Sequence, residues 1–212
     1  MNTVASRHEA GTEEILGYWF GGLDDTGTLD MRSEQCRKWH AKSEETDLEI
    51  RELFLASYLS RLNSRDAAAD TDRDRLATIL LFDQFPRNMF RDTRRMYEAD
   101  TVALELCLDA LQGKRDESLP LIYRLFMYMP LMHSESLPHQ ERTLKLFSEL
   151  PEVAQSRCPQ NVPFFEMAYN HYARAHHEII RRFGRFPHRN ALLGRDSTPE
   201  EIEFLAEENS SF

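Results

Sequence analysis

The sequence predicts an all-α fold, a compact array of antiparallel helices forming one domain over residues 1–212. Three observations predict it. Apolar residues recur at i, i+3, i+4 and i+7 in one segment after another, the spacing of a single helix face. No segment of strand length alternates apolar and polar residues. Glycine or proline closes most of the periodic segments, and the loops left between them are short enough to join antiparallel neighbours.

Taken in order, residues 1–11 are expected to be disordered or loosely attached. Thr12 can cap a first helix through Ile15, Leu16, Trp19 and Phe20, which stops at Gly21-Gly22. A polar loop follows to Asp30, then a short helical piece with Trp39 and His40. A third helix carries Leu48, Leu55, Leu59 and Leu62, and residues 63–72 read as a surface loop. The fourth helix runs from Asp72 to Phe85, where the ring of Pro86 is expected to end it. A fifth covers Glu98 to Gln112, with Gly113 as a left-handed terminator. Pro120 opens an apolar helix that should stop before Pro130, and Ser136 starts another carrying Leu137, Leu144 and Phe147. The longest helix spans Pro163 to Phe183 and is closed by Gly184. Ser197-Thr198-Pro199-Glu200 reads as a capping box in which Glu200 returns a bond to the Ser197 amide, and the acidic tail Glu200–Glu208 reads as a solvated helix face. No fixed repeat period is present.

Composition excludes several roles. With 26 Lys and Arg against 36 Asp and Glu, the net charge is −10, opposite to the positive surface that non-specific nucleic-acid binding needs. Apolar runs such as Ile79-Leu80-Leu81-Phe82 fall far short of the ~20 residues that span a bilayer, so no membrane association is expected. Cys36, Cys107 and Cys158 form no CxxC pair and frame no disulfide, which, with no export signal in view, points to the cytoplasm. A Walker lysine loop and a Gly-rich dinucleotide turn are both missing, and no cofactor is expected.

The informative residues are polar ones at apolar positions. Leu76, Ile79, Leu80 and Asp83 share one helical stripe, so Asp83 should be buried, with an arginine as its natural partner. Leu137, Gln140, Glu141 and Leu144 repeat the conflict, placing an amide or a carboxylate inward. His176 does so on the stripe of Tyr172 and Ile179. Three loop strings add charge: Phe85-Pro86-Arg87-Asn88, His133-Ser134-Glu135, and Arg185-Phe186-Pro187-His188-Arg189-Asn190, with Arg195 close behind. In the first and third, proline should hold arginine and asparagine on a rigid corner.

These strings also carry a resemblance. ILLFDQFPRNMF (79–90), MYMPLMHSESLPHQER (127–142) and the stretch from His176 to Leu205 resemble the bacterial family of unknown function DUF924, over most of the chain from Tyr18 onward. The resemblance implies a tetratricopeptide-like helical fold and brings no activity, cofactor or catalytic assignment. One local departure is Ser136-Leu137-Pro138-His139, where the family pattern has an acidic residue and a small helix former.

Three functions compete for the cluster these residues would form. In the first it is a pocket for a small anionic metabolite, with Arg87, Arg185 and Arg189 supplying charge, His133 contributing, and Asn88 and Asn190 orienting. This requires the arginines to outnumber the buried acids Asp83, Glu135 and Glu141. In the second it is an acid–base or hydrolytic site, with His188 or His176 as proton carrier and Asp83 or Glu135 as orienter. In the third the cluster is purely structural, and the protein is an interaction module with a protein partner. A metal site is not expected, because His133, Glu135, His176 and His188 lack ligand spacing on any helix face.

Overall fold

Twelve consecutive residues, 75–86, are buried, which makes the fourth helix the axis of the molecule. The computed structural model describes residues 8–64 and 70–207. The described residues contain helices and no strand: α1 (Thr12–Phe20), α2 (Glu34–His40), α3 (Glu44–Ser64), α4 (residues 72–89), α5 (Asp100–Gln112), α6 (Leu121–Met132), α7 (Leu137–Arg157), α8 (residues 162–183), α9 (Asn190–Leu193) and α10 (Pro199–Leu205). From α4 to α8 each helix packs on its predecessor, while α1 and α3 close the other side of α4. The core gathers Trp19, Phe20, Phe54, Phe85 and Phe126, whose rings meet mostly edge to face. Each such side chain contributes about 2–3 kcal/mol through burial alone. None of the described helices is long and apolar enough to cross a membrane.

Two prolines do not stop their helices. In α4 the chain widens into a π turn over Leu80–Gln84, and the Phe85 amide donates to the Leu80 carbonyl five residues back. Pro86 follows directly on that turn, and its missing amide removes one bond of the ladder without ending the helix, which runs on to Met89. Arg87 and Asn88 therefore project from a continuous helix and not from a corner. Pro130 lies within the last turn of α6, and the helix continues to Met132. A second π turn, Ala168–Ala173, interrupts α8.

Several local expectations shift by a residue. Gly11, not Thr12, caps α1, and the Thr12 hydroxyl instead donates to Asp74. Gly113 keeps φ −86°, and it is Lys114 that takes the left-handed conformation, at φ 52°. Gly184 does end α8 as expected, at φ 69°, its amide donating to Ile180. The terminal capping box is formed by Thr198 and Glu201, because Pro199 at the first helical position makes Thr198 the cap. On α7, Gln140, Thr143, Phe147 and Leu150 face inward, whereas Glu141 and Leu137 are exposed, so Glu141 leaves the candidate network.

Residues 1–7, half of the predicted 63–72 loop (65–69) and Glu208 lie outside the described residues. Ala10, within the segment expected to be loose, is buried and its amide donates to Ser57 Oγ. Beyond α8 the chain is held by a small second core of Ile179, Ile180 and Phe186, against which Phe183 and Phe204 pack. Phe186 is fully buried and anchors the corner that follows it.

Candidate functional site

The π turn of α4 decides where the site lies. It adds a residue to the turn, so Asp83 and Gln84 both point into the protein, and Asp83 is completely buried. A carboxylate taken out of water needs cations and donors. His133, at the end of α6, supplies one donor: its Nδ1 lies 2.8 and 3.0 Å from the two Asp83 oxygens. Gln84 Nε2 donates to Oδ2, and Arg87 stands 3.6 Å away. Burial alone would raise the Asp83 carboxyl, but His133, Arg87 and these hydrogen bonds hold it below the usual carboxylate range. Asp83 is therefore ionised, His133 carries its proton on Nδ1, and Nε2 keeps a lone pair.

His133 is held in place from α7. Gln140, with no exposed surface, donates its amide to the Met132 and Ser134 carbonyls, both at 2.7 Å, on either side of His133. The His176 ring lies 6.0 Å from that of His133 and 5.5 Å from that of Phe186, with Nδ1 bonded to the Tyr172 carbonyl. The His188 ring lies 5.6 Å from that of Phe186.

The corner Pro187–Arg189 is a 3-10 turn, and it places Arg189 inside the protein at 7% exposure. Its guanidinium lies over the rings of Phe186 and Tyr97 at 4.5 and 4.6 Å. Its nearest carboxylate contact is Asp100 at 3.6 Å, and its Nε has no hydrogen-bond partner. Asp100 is held mainly by Arg87, at 3.0 and 3.3 Å. Burial and the charge of Arg87 accordingly press the Arg189 guanidinium below the ordinary arginine value. Burial, followed by the two arginines, also lowers His188, to about 4, while burial and then Arg87 outweigh Asp83 at His133. His176 is held well below the ordinary value, first by burial and then by His133. All three imidazoles are neutral at pH 7.

Neighbouring candidates divide into separate contacts. Glu135 receives Arg195 at 2.6 and 2.9 Å and the Phe186 amide at 2.8 Å, tying the His133 loop to the Phe186 corner. Arg185 is turned outward onto Glu201, with Asn190 bonded to Ser197, Glu201 and Arg195. Asn88 faces the other way, donating to Asp47 of α3 beside Arg91. Asn88 and Arg185 thus stand apart from the cluster, and Asn190 supports it from behind. Ser134 Oγ pairs with His139, not His133, at 2.9 Å.

Sequence reasoning missed Asp100, Tyr97 and Glu201. An aspartate in the first turn of a helix reads as an ordinary complement to the helix dipole, and Tyr97 lies in a short 3-10 turn (Arg94–Tyr97) that carries no periodicity. The surplus of arginine on which the pocket reading is conditional is also not found. Arg87, Arg185, Arg189 and Arg195 face Asp83, Asp100, Glu135 and Glu201, four against four. Among the described residues no group of three or more His, Cys, Asp or Glu is arranged to hold a metal ion.

The strings that build this cluster fall within residues 15–209, over which the chain matches the model of a bacterial protein family of unknown function, DUF924. The chain belongs to the DUF924 family. A solved structure of a protein of unknown function from Agrobacterium tumefaciens shares this fold, with a TM-score of 0.69 and 29% identity over 92% of this chain and 96% of that one. No curated protein matches the chain. Family membership thus agrees with the helical architecture and brings no activity to it, so for this DUF924 protein function has to be argued from the cluster.

Proposed function

We propose that the Arg189–His133–His176–His188 cluster binds a small anionic ligand. One observation carries this reading: a guanidinium at 7% exposure whose Nε has no partner and whose nearest acid is 3.6 Å away, shared with Arg87. A buried cation left this incomplete is costly, and an anion supplying the missing acceptors offsets that cost. The neutral histidines support it. Their depressed protonation comes first from burial, to which the arginine charges add at His133 and His188. Three free, buried cysteines fit a reducing compartment such as the cytoplasm.

Acid–base chemistry is the second reading, favoured by the Asp83–His133 contact. A fully buried carboxylate fixes the ring so that Nε2 can accept a proton, and π turns recur at functional sites.

Thermal unfolding with phosphate, sulfate, acetate and citrate at pH 6.5 tests the binding reading. Saturation near 100 Kd should stabilise the protein by about 2.7 kcal/mol, a rise in Tm of roughly 5–10 °C. Arg189→Met should abolish the response. A Tm unmoved by every anion, or a variant that responds as fully as the wild type, would refute binding at this cluster.

A further inference from the structure

Beyond α8 the chain is attached to the bundle differently from what precedes it. Among the described residues, none of 185–207 belongs to the main core. The apolar contact of this segment is the small second core, where Phe186 and Phe204 meet Ile179, Ile180 and Phe183 at the end of α8. Helices α9 and α10 pack mainly on the Pro187–Arg189 corner, within the segment itself. The remaining ties are polar: Glu135 receives the Phe186 amide and Arg195, Arg189 stands 3.6 Å from Asp100, and Arg182 of α8 reaches Glu200. A unit held by so few apolar contacts can open before the rest of the protein does. At its root, Gly184 turns the chain at φ 69°.

Phe186 plugs this segment into the bundle among groups that can become charged. Its ring lies 5.5 Å from that of His176 and 5.6 Å from that of His188, with the Arg189 guanidinium 4.5 Å away. The His133 ring lies 6.0 Å from His176. A proton on His176 or His188 would add a cation beside Arg189, where little water remains to screen it. From this packing we propose that residues 185–207 form a latch released by acid: protonation of His176 and His188 expels Phe186 and lifts the corner while the main core stays folded. The other charged and titratable groups around the two rings are Asp83 and Arg87 of α4, Tyr97, Asp100 of α5, His133 and Glu135 after α6, and Arg195. Burial first, then Arg189 at His188 and His133 at His176, hold both rings below the ordinary value, His188 at about 4. Docking is therefore complete above about pH 6.5, the value of a free imidazole, and weakens below it by up to tenfold per unit for each ring. The carboxylate ties act lower. Arg195 outweighs burial at Glu135, and Arg185 holds Glu201 at about 2, so neither weakens until the pH falls below about 4.5, the ordinary glutamate value.

Hydrogen exchange of the full chain at pH 7.5 and 5.0, corrected for the intrinsic exchange rate, tests the latch in the window where the histidines act and the carboxylates do not. Neither phosphate nor sulfate is added, so the result stands apart from the anion-binding reading. Protection of peptides within 185–207 should fall at least tenfold at pH 5.0, while that of residues 75–86 holds. The double variant His176→Phe/His188→Phe, which carries no titrating ring at either place, should keep the segment protected to within about threefold of its own value at pH 7.5. Should that variant not fold, NMR titration of the wild-type imidazoles decides the same point: the His176 and His188 midpoints should coincide with the loss of protection. An unchanged 185–207 segment at pH 5.0 overturns the proposal, as does loss of protection by the whole chain together. A double variant that opens as fully as wild type, or rings that titrate apart from the opening, overturns the histidines as its trigger and the latch with them.

Discussion

Asp83→Ala is expected to cost about 3–5 kcal/mol of unfolding free energy, the largest loss from any single change in the cluster. The carboxylate is wholly buried and ties two elements together, facing the Arg87 charge on α4 and accepting from His133 at the end of α6. Truncation leaves the Arg87 charge with Asp100 alone and the His133 Nδ1–H and Gln84 amide without their shared acceptor. Urea unfolding should show a lower midpoint with an unchanged slope. Asp83→Asn, which keeps an acceptor oxygen and loses the charge, should fall between the two. A midpoint for Asp83→Ala within 1 kcal/mol of wild type would mean that this carboxylate is not satisfied as described.

Gln140→Leu should cost about 2–3 kcal/mol, on a different ground. The leucine fills similar space, so little packing is lost, but the Met132 and Ser134 carbonyls lose their donor inside the protein. Those carbonyls flank His133, and the ring should become mobile at the same time. Chemical denaturation combined with the linewidth of the His133 side-chain NMR signals checks both halves. A variant as stable as wild type with a sharp, unmoved His133 signal would show that something else anchors the loop.

Much of the fold was legible because helix periodicity and its stop signals are local. Asp83 was legible for the same reason, as a carboxylate on a stripe otherwise made of Leu76, Ile79 and Leu80. What broke the reading was insertion. A π turn adds one residue to a helix, so the face of every residue beyond Leu80 rotates, and Pro86 stops nothing. Neighbouring residues such as Gln140 and Glu141 lie about 100° apart on the helix, and only contact with α6 decides which of them faces inward. The capping box slipped by one position because Ser197 and Thr198 are chemically equivalent there, and Pro199 chooses between them.

The cluster itself was legible as a list of segments and not as a map. DQFPRN, HSE and the RFPHRN corner do meet, through Asp83, His133, Glu135, Phe186 and Arg189. Asn88 and Arg185 were grouped with them only because they are close in sequence. Asp100, the acid that Arg87 and Arg189 share, was invisible because it lies 11 residues beyond the end of α4 and looks like any other first-turn aspartate.

The central claim is that Arg189 is held for a ligand and not as an internal tie, and its contribution to stability without ligand separates the two. Residues kept incomplete for binding do not stabilise the empty protein. Urea unfolding of Arg189→Met in anion-free buffer should give a stability equal to or above that of wild type. A loss of about 3–5 kcal/mol, the amount expected when one partner of a buried ion pair is removed, would contradict the account and make the cluster a structural tie.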